Sequence, residues 1–336
     1  MAEANSYLET ALQMRGHQLA EMIHVAAQLG LADRIGEGVR PVDDLAAEAG
    51  AQPDKLARML RALSVFGIFA IDRDGKVGHT EKSRHLRSDA TPTLHYAARF
   101  WCMPSTWATW GRMEHTICTG EPAFEAVHGV SKWSYFAAHP DESLTFDAFM
   151  QHSPDDRQRA VAEAYDFGSA RIVDVGGGNG GLLRAILERH TAARGVLADQ
   201  EAVVAAAPVA LGAFIGRCEV VPTDFFASVP AGGDIYAMSQ ILHDWSDERC
   251  HTILGTCRAA IPAHGRLLII ERVLEDDAEK NSALNVLSDM QMMALFPGAG
   301  ERTLAEYAAL LAGAGFGPPR LIATRSPFSI LEARPA

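Results

Sequence analysis

The sequence contains no apolar run approaching the roughly 18 residues that a membrane-spanning helix requires. It also has no CxxC pair and no cysteine–histidine spacing typical of zinc sites, so its five cysteines predict neither a metal centre nor a disulfide framework. Positive charge is scarce as well, because the 336 residues carry a formal net charge of −12. Nucleic-acid affinity depends largely on clustered Lys and Arg, and an extended nucleic-acid-binding surface is therefore disfavoured.

The composition is that of a globular protein, with 48% hydrophobic and 21% charged residues, and the length favours two domains. The amino terminus, Met1–Asn5, lacks a basic segment followed by an apolar core. We therefore expect a cytoplasmic protein with no export signal and no membrane contact.

The first part of the chain shows helical periodicity followed by a hairpin pattern. An apolar stripe runs through residues 5–30 and ends at Gly30, which suits a helix C-cap. Two short helices are predicted within residues 41–63. Asp74-Gly75 then supplies the tight turn of a hairpin. Helices followed by a hairpin predict a winged-helix domain over residues 1–98.

A winged helix often binds DNA, but this one is close to neutral. Residues 1–99 contain twelve Lys or Arg and thirteen Asp or Glu. The second short helix carries Lys55, Arg58 and Arg61 at helical spacing, which leaves a DNA-contact face open. A solvated edge on a packing module is the simpler interpretation.

The second predicted domain, residues 99–336, begins with a helical connector that is rich in aromatic residues. From residue 171 onward, strand-like runs alternate with helical runs, which predicts an α/β domain with a mostly parallel sheet. The predicted strands are Arg171–Val175, Arg194–Ala198, Cys218–Pro222, Asp234–Met238, Leu267–Ile270, Pro319–Ala323 and Ser329–Ala333.

The first of these strands leads into a glycine-rich turn. Asp174 precedes Gly176, and Gly178 and Gly181 complete a G-x-G-x-x-G pattern before the helical run Leu182–Glu188. Glycines let the backbone approach a ligand closely, and the helix amino terminus offers free N–H groups. In open α/β sheets ligands bind beyond the carboxyl ends of the strands, so this turn is the first candidate binding element.

Acidic residues also follow the next two strands. Asp199 is placed to accept hydrogen bonds from a ribose, which NAD and S-adenosylmethionine both carry. Asp224 offers an acceptor for an exocyclic amine, and Phe225 offers a ring for a purine. Acidic strand ends attract a sulfonium and repel two phosphates, which favours S-adenosylmethionine over NAD. The alternative is that Asp199 and Asp224 merely cap the following helices.

A general base is predicted after the fourth strand, where His243 precedes Asp244 and an acidic helix start. A phenol has a pKa of about 10 and an imidazole about 6.5, so proton transfer is uphill unless it accompanies methyl capture or carboxylates assist it. Glu271, at the end of the fifth strand, and Glu301 are candidates to orient the imidazole and stabilise its cation.

These segments resemble the small-molecule O-methyltransferases of the plant caffeate and bacterial polyketide type. The resemblance rests on Asp174–Gly180, Leu242–Glu248, Glu271–Val273, Asp289–Met293 and Glu301–Thr303. It implies a Rossmann-like class I methyltransferase domain that transfers a methyl group from S-adenosylmethionine to a hydroxyl of a small aromatic or polyketide-type metabolite, without a metal. The amino-terminal part resembles that family's winged module through residues 27–33 and 58–63. In relatives this module dimerises, so we expect a homodimer with no nucleic-acid partner.

The resemblance also implies roles for individual residues. The cofactor-binding residues would be Asp174, Gly176, Gly178, Asp199, Asp224, Phe225 and Ser239. His243 would be the general base, assisted by Glu271 and Glu301. The acceptor pocket would include Phe149, Met150, Asp244, Met292 and Phe296. Because plant members often carry Asn at the position of Phe296, a bulkier and less polar acceptor is expected.

Other functions stay open at this point. A family member of this kind can retain the cofactor for decarboxylation, hydroxylation or cyclisation, although His243, Glu271 and Glu301 favour methylation. A ligand-sensing DNA-binding regulator and an NAD oxidoreductase are the remaining alternatives. The sequence does not specify the acceptor or the position that is methylated.

Overall fold

The computed structural model describes residues 2–152 and 156–336, with side chains from residue 6 onward. The described residues form two compact units. The amino-terminal unit comprises the chain up to Gly111 and the segment from Trp133 to His152. The carboxyl-terminal unit comprises Arg112–Lys132 and the chain from Asp156 onward.

Helices account for most of the amino-terminal unit and alternate with strands in the carboxyl-terminal unit. In chain order the helices are α1 (Ala2–Met14), α2 (Gly16–Gln28), α3 (Leu31–Ile35), α4 (Val42–Ala49), α5 (Pro53–Val65), α6 (Glu81–Arg84), α7 (His95–Trp101), α8 (Pro104–Trp110), α9 (Met113–Thr119), α10 (Ala123–His128), α11 (Lys132–Ala138), α12 (Pro140–Gln151), α13 (Arg157–Ala164), α14 (Gly181–Arg189), α15 (Glu201–Val204), α16 (Ala207–Leu211), α17 (Asp247–Ala260), α18 (Ala283–Leu295) and α19 (Leu304–Gly313). Short 3₁₀ turns cover Gly212–Arg217, Leu242–Asp244 and Ala278–Lys280.

The strands of the described residues fall into three sheets. They are β1 (Val39–Pro41), β2 (Ala70–Ile71), β3 (Lys76–Gly78), β4 (Arg171–Val175), β5 (Arg194–Asp199), β6 (Cys218–Pro222), β7 (Ile235–Ser239), β8 (Arg266–Glu271), β9 (Val273–Leu274), β10 (Arg302–Thr303), β11 (Arg320–Ala323) and β12 (Ser329–Ala333). In the described part of the chain, no helix combines the length and the apolar character needed to cross a membrane.

The amino-terminal unit contains the predicted hairpin as β2 and β3, with β1 added on the other side of β3 in the order β1-β3-β2. Its core is formed by fully buried side chains of α3, α4 and α5, among them Leu31, Leu45 and Leu60. Within each of these helices the buried residues recur at helical spacing, so each helix turns one apolar face toward the same core.

The predicted stripe over residues 5–30 is two helices and not one. The chain breaks between α1 and α2 at Arg15, and Leu8 and Leu12 of α1 are 60% and 57% exposed. Sequence periodicity cannot distinguish an apolar face that is buried in its own unit from one that is exposed there. Gly30 follows α2 with φ +59°, the left-handed conformation expected just beyond a helix end.

The connector is helical, as predicted, but its contacts divide it between the two units. The predicted boundary between residues 98 and 99 falls inside α7. Helix α12 belongs with the amino-terminal unit because Phe149 stacks on Phe100 of α7 with ring centroids 4.6 Å apart and Phe146 lies 5.6 Å from the same ring. Aromatic stacking of this kind adds to the burial of the rings themselves.

The carboxyl-terminal unit is built on a seven-stranded sheet in the order β11-β12-β8-β7-β4-β5-β6. Strands β6, β5, β4, β7 and β8 are mutually parallel, and β12 runs antiparallel to both of its neighbours, β8 and β11. The sheet is therefore mostly parallel, as predicted, with one reversed strand. The carboxyl ends of β4, β5, β7 and β8 meet at one edge.

Both faces of this sheet are buried. Side chains of α17 and α19 cover one face, and side chains of α13 and α14 cover the other. Full burial explains why β4, β7 and β8 appear in the sequence as nearly continuous apolar runs. The exception is Asp174, which is 1% exposed within an otherwise apolar strand.

Candidate active site

The glycine turn after β4 brings the backbone close to neighbouring side chains. Gly176 has φ +69°, and a Cβ at this position would overlap the side chain of Ile241. Gly178 has φ +61° and no atom within 4 Å of the place that a Cβ would occupy. The turn therefore packs tightly at Gly176 and leaves open space above Gly178, which is suited to a ligand that contacts the backbone.

Asp199 holds this turn in place from the end of β5. Its Oδ2 accepts a hydrogen bond from the Gly178 N–H at 2.8 Å, and its Oδ1 accepts one from the Gln200 N–H at 2.7 Å. It does not act as the N-cap of α15, since Gln200 occupies that position without a side-chain cap. The helix-cap alternative thus does not explain Asp199, whose carboxylate links two strand ends.

Buried polar atoms without a hydrogen-bond partner concentrate at the same edge of the sheet. They include both carboxylate oxygens of Asp174, the Ser239 hydroxyl oxygen, and the amide oxygen of Gln240. Burial, with the charge of Asp199 nearby, raises the pKa of Asp174 to about 7. Such atoms cost free energy unless they acquire a partner, and they are typical of a ligand site.

The buried carboxylate of Asp174 lies against the turn at Gly177. A Cβ on Gly177 would fall 2.5 Å from its Oδ2, so the carboxylate supports the loop from the strand side. Asp224, in contrast, is exposed, and its Oδ1 accepts a hydrogen bond from the Phe226 N–H at 3.0 Å. Phe225 is 8% exposed and lies against Phe226 and Trp245 at centroid distances of 4.9 and 6.3 Å.

The predicted base and its two partners come together behind the 3₁₀ turn that follows β7. The Nδ1 atom of His243 lies 3.1 Å from Oε1 of Glu301 and 3.6 Å from Oε2 of Glu271. The Nε2 atom lies 3.4 Å from Oδ1 of Asp244. His243 is 4% exposed and both glutamates are buried. Three carboxylates thus surround one imidazole in a region of low dielectric constant.

This arrangement determines the charge of the imidazole. Burial by itself lowers the pKa of His243, but Glu271, Glu301 and Asp244 together raise it to about 10. Burial raises the pKa of Glu271 to about 7 and that of Asp244 to about 6. Burial also opposes ionisation of Glu301, yet His243 beside it holds the pKa of Glu301 below its usual range. At neutral pH the cluster is an imidazolium held mainly by Glu301.

Backbone groups and neighbouring side chains fix both glutamates. Oε1 of Glu271 accepts hydrogen bonds from the N–H groups of Ile241 and Leu242 at 2.9 and 3.0 Å, which leaves Oε2 facing His243. Oε1 of Glu301 accepts a further bond from the Ser288 hydroxyl at 2.7 Å. Gln240, just before this loop, has φ +56°, a left-handed conformation that is unusual for a side chain other than glycine.

Ser288 was not among the residues predicted from the sequence. For Ser288 a signal was present, because Asn285, Ser288, Asp289 and Met292 follow the i, i+3, i+4, i+7 spacing of one helix face. Asn285 accepts a bond from Arg272, and Asp289 accepts one from the Glu301 N–H at 3.0 Å. Polar residues on one face of the otherwise apolar helix α18 therefore indicated that this helix lines the site.

The expected acceptor-pocket residues lie in both units. Met292 is half-buried on α18, and Phe296 is buried just beyond it. Phe149 and Met150 lie on α12 of the amino-terminal unit, where both are half-buried.

His243, Glu271 and Glu301 also have the donor types of a metal site, with one ligand atom from each within 4.8 Å of the others. The 3.1 Å separation between Nδ1 and the Glu301 oxygen lies in the ordinary range of an N–H···O hydrogen bond. The five cysteines are free thiols.

Comparisons with known proteins match most of the chain to two protein families. Residues 110–317 match the O-methyltransferase domain family, and residues 12–89 match the O-methyltransferase dimerisation domain family. The chain is 40% identical over 328 residues to phenazine O-methyltransferase PhzM of Lysobacter antibioticus, which covers 96% of this chain and 95% of that protein.

Solved structures are similar over nearly the whole chain. The structure of the mitomycin 7-O-methyltransferase MmcR has a TM-score of 0.92 and 32% sequence identity, covering 100% of this chain and 99% of that one. The O-methyltransferase NcsB1 from neocarzinostatin biosynthesis, solved with S-adenosylmethionine and 2-hydroxy-5-methyl naphthoic acid, has a TM-score of 0.79 and 34% identity. That match covers 94% of this chain and 96% of NcsB1.

Proposed function

The chain belongs to the O-methyltransferase family and is an S-adenosylmethionine-dependent enzyme, and from this premise we propose that His243 is the general base for methyl transfer to a hydroxyl of a small aromatic or polyketide-type metabolite. The observation that carries the proposal is the contact of His243 Nδ1 with Glu301 at 3.1 Å and with Glu271 at 3.6 Å. Both contacts are on the same nitrogen, so Nε2, which lies 3.4 Å from Oδ1 of Asp244, is the ring atom left to face an acceptor.

The carboxyl edge of the sheet fits S-adenosylmethionine. Among the described residues, the buried oxygens of Ser239 and Gln240 have no hydrogen-bond partner, and the space above Gly178 is open. Asp199, which already orders the turn, would accept from the ribose hydroxyls, while Phe225 would lie against the adenine. Asp174 against the turn adds negative charge where a cation binds. When bound, the cofactor supplies an electrophilic methyl group on a positively charged sulfur.

The protein's own contribution is then to position an oxygen nucleophile and to accept its proton. Holding the reacting atoms in line in a site without water can lower a barrier by about 7 to 11 kcal/mol. The neutral imidazole of His243, which is the minor form below a pH of about 10, would accept the hydroxyl proton at Nε2, and Glu301 would stabilise the resulting imidazolium through Nδ1. Because the carboxylates raise the pKa of His243 to about 10, its basicity matches that of a phenol.

Two further features belong to the same proposal. Met292 and Phe296 would form an apolar wall for an aromatic acceptor. Residues 12–89 match a dimerisation domain, which supports a homodimer as the working form of the enzyme.

The test combines product detection with one substitution. The purified protein is incubated with methyl-labelled S-adenosylmethionine and a panel of aromatic hydroxyl compounds, and labelled ethers are identified by mass spectrometry. With the acceptor found in this way, His243→Ala should lower kcat by a factor of at least about 100 and leave cofactor affinity, measured by calorimetry, nearly unchanged.

His264→Ala is the matched control, because this histidine is 76% exposed and also lies near a carboxylate, that of Asp234 at 3.6 Å. The control should retain full turnover. Full turnover in His243→Ala would refute the assigned base. If the cofactor binds but no compound of the panel is labelled, a hydroxyl acceptor of this class is contradicted.

A further inference from the structure

We infer that Arg302 is a positioning residue for the reaction, because it fixes the backbone on both sides of His243. Its guanidinium is almost entirely enclosed, and the residue is 6% exposed. Nη1 donates a hydrogen bond to the Leu242 carbonyl at 2.9 Å, and Nη2 donates one to the Trp245 carbonyl at 2.8 Å. Leu242 and Trp245 flank the His243-Asp244 pair, so two of the peptide groups around the base are held by one side chain.

The position of Arg302 links this loop to both glutamates. Arg302 is the first residue of β10, which pairs in parallel with β9 so that Arg302 lies opposite Val273. Glu301 immediately precedes Arg302, and Glu271 lies two residues before Val273. The pairing of β9 with β10 therefore fixes the distance between the Glu271 and Glu301 carboxylates. The hydrogen bonds of Arg302 fix the position of the His243 loop relative to these two strands.

Other contacts keep the guanidinium in one orientation. Nε and Nη2 both donate to Oδ1 of Asp247, at 3.0 and 2.8 Å. The Cys250 thiol donates to the same Leu242 carbonyl at 3.2 Å, and the Gly300 N–H donates to the His243 carbonyl at 3.0 Å. The loop that carries the base is thus held by donors from the segments on either side of Glu301 and from α17.

A planar fork is required for this arrangement. Arginine presents five N–H donors in a rigid plane, whereas the ammonium of lysine is a point charge on a flexible stem. A lysine at position 302 would keep the charge beside Asp247 but could not reach the Leu242 and Trp245 carbonyls in the same geometry. We therefore expect the loop to relax and His243 to leave its contact with Glu301.

The experiment compares Arg302→Lys with Arg258→Lys. Arg258 is a matched control because it lies in the same unit and also donates to two backbone carbonyls, those of Gly315 at 2.9 Å and Ala336 at 3.4 Å. Displacement by about 1 Å can cost about 100-fold in rate. On the high-pH plateau, where His243 is neutral in both enzymes, Arg302→Lys should lower kcat between 10- and 100-fold, with less than a threefold change in the Kd for S-adenosylmethionine, and Arg258→Lys should leave both values unchanged.

The pH profile separates positioning from general stability. If His243 loses its carboxylate contacts, its pKa falls, and the acid limb of kcat against pH should move down by at least one unit in Arg302→Lys. Wild-type kcat and an unshifted limb in this variant would overturn the inference. So would a loss of activity that only follows a loss of folded protein, measured by thermal unfolding.

The inference rests on the proposed role of His243, and His243→Ala distinguishes the two failures. If His243→Ala retains turnover, the general base itself has been misassigned. If His243→Ala is inactive while Arg302→Lys behaves as the wild type, only the role of Arg302 is refuted.

Discussion

Replacing Glu271 by Gln should move the acid limb of the enzyme's pH profile. Oε1 of Glu271 accepts two backbone N–H bonds and Oε2 faces His243 at 3.6 Å. In Glu271→Gln the amide oxygen can keep both backbone bonds while the charge disappears. At this distance, with an effective dielectric constant of about 20, the lost attraction is about 4 to 5 kcal/mol. Since one pKa unit corresponds to about 1.4 kcal/mol, the pKa of His243 should fall by about three units.

The sign of the effect follows from the protonation state of the base. A pKa of about 10 means that the wild-type imidazole keeps its proton through the neutral range and releases it only as the pH rises. Below that pKa, each increase of one pH unit therefore raises the abundance of the neutral imidazole, the form that accepts a proton, by a factor of ten. In Glu271→Gln the increase of rate with pH should reach its plateau about three pH units lower than in the wild type. The rate on that plateau should be smaller, because a weaker base accepts the proton.

The assay is kcat/KM for the labelled acceptor between pH 5.5 and 10, at saturating cofactor and constant ionic strength. Both enzymes then carry the same cofactor charge, so the difference between their acid limbs reports on Glu271 alone. Glu332→Gln is the control, because this glutamate on β12 is also buried but pairs with Arg320 of the neighbouring strand β11. Coincident limbs in the wild type and Glu271→Gln would refute the electrostatic reasoning.

Three further predictions concern the cofactor and acceptor regions. The raised pKa of Asp174 means that its buried carboxylate costs increasing folding stability as pH rises from 3.8 to about 7, so Asp174→Asn should stabilise the cofactor-free protein by up to about 4 kcal/mol at pH 8 and by only about 2 kcal/mol at pH 5. Equal shifts in Tm at both pH values would contradict this. Gly176→Ala should weaken cofactor binding at least about tenfold and lower Tm, because the left-handed turn and Ile241 both exclude a Cβ. Calorimetry measures the cofactor affinity, and Gly216→Ala is the control because a Cβ has open space there. Phe296→Asn should change the ratio of kcat/KM between polar and apolar acceptors about tenfold, and an unchanged ratio would remove Phe296 from the acceptor pocket.

The strands of the large sheet were the most predictable part of the fold. Strands β4, β6 and β12 have the predicted bounds, because buried strands are short, apolar and bounded by turn residues. The two-residue strands β9 and β10 were not predicted. Their pairing depends on the path of the chain between residues 274 and 302, and no local periodicity encodes it.

The candidate site also contains residues that were predictable from the sequence and features that were not. His243, Glu271 and Glu301 were predicted because each follows a strand or a recognisable motif, and the structure brings them within 3.6 Å. Asp174 was correctly placed before the turn, but the pattern could not indicate that its carboxylate lies against the turn. The left-handed conformation of Gln240 was unpredictable for another reason, since it is imposed by the loop's bonds to Glu271 and not by the preference of glutamine.

The reversed strand β12 has a consequence for the order in which the protein folds during synthesis. Strand β8, which ends at Glu271, lies between β7 and β12, and Ser329 pairs with Glu271 itself. Strands β4 to β7 can assemble soon after they leave the ribosome, but β8 gains its second neighbour only when residues 329–333 have been made. Contacts between distant parts of a chain form slowly. We therefore expect a nascent chain that ends before residue 329 to form the glycine turn after β4 first. The Glu271 carboxylate, which raises the pKa of His243, should reach its final position last.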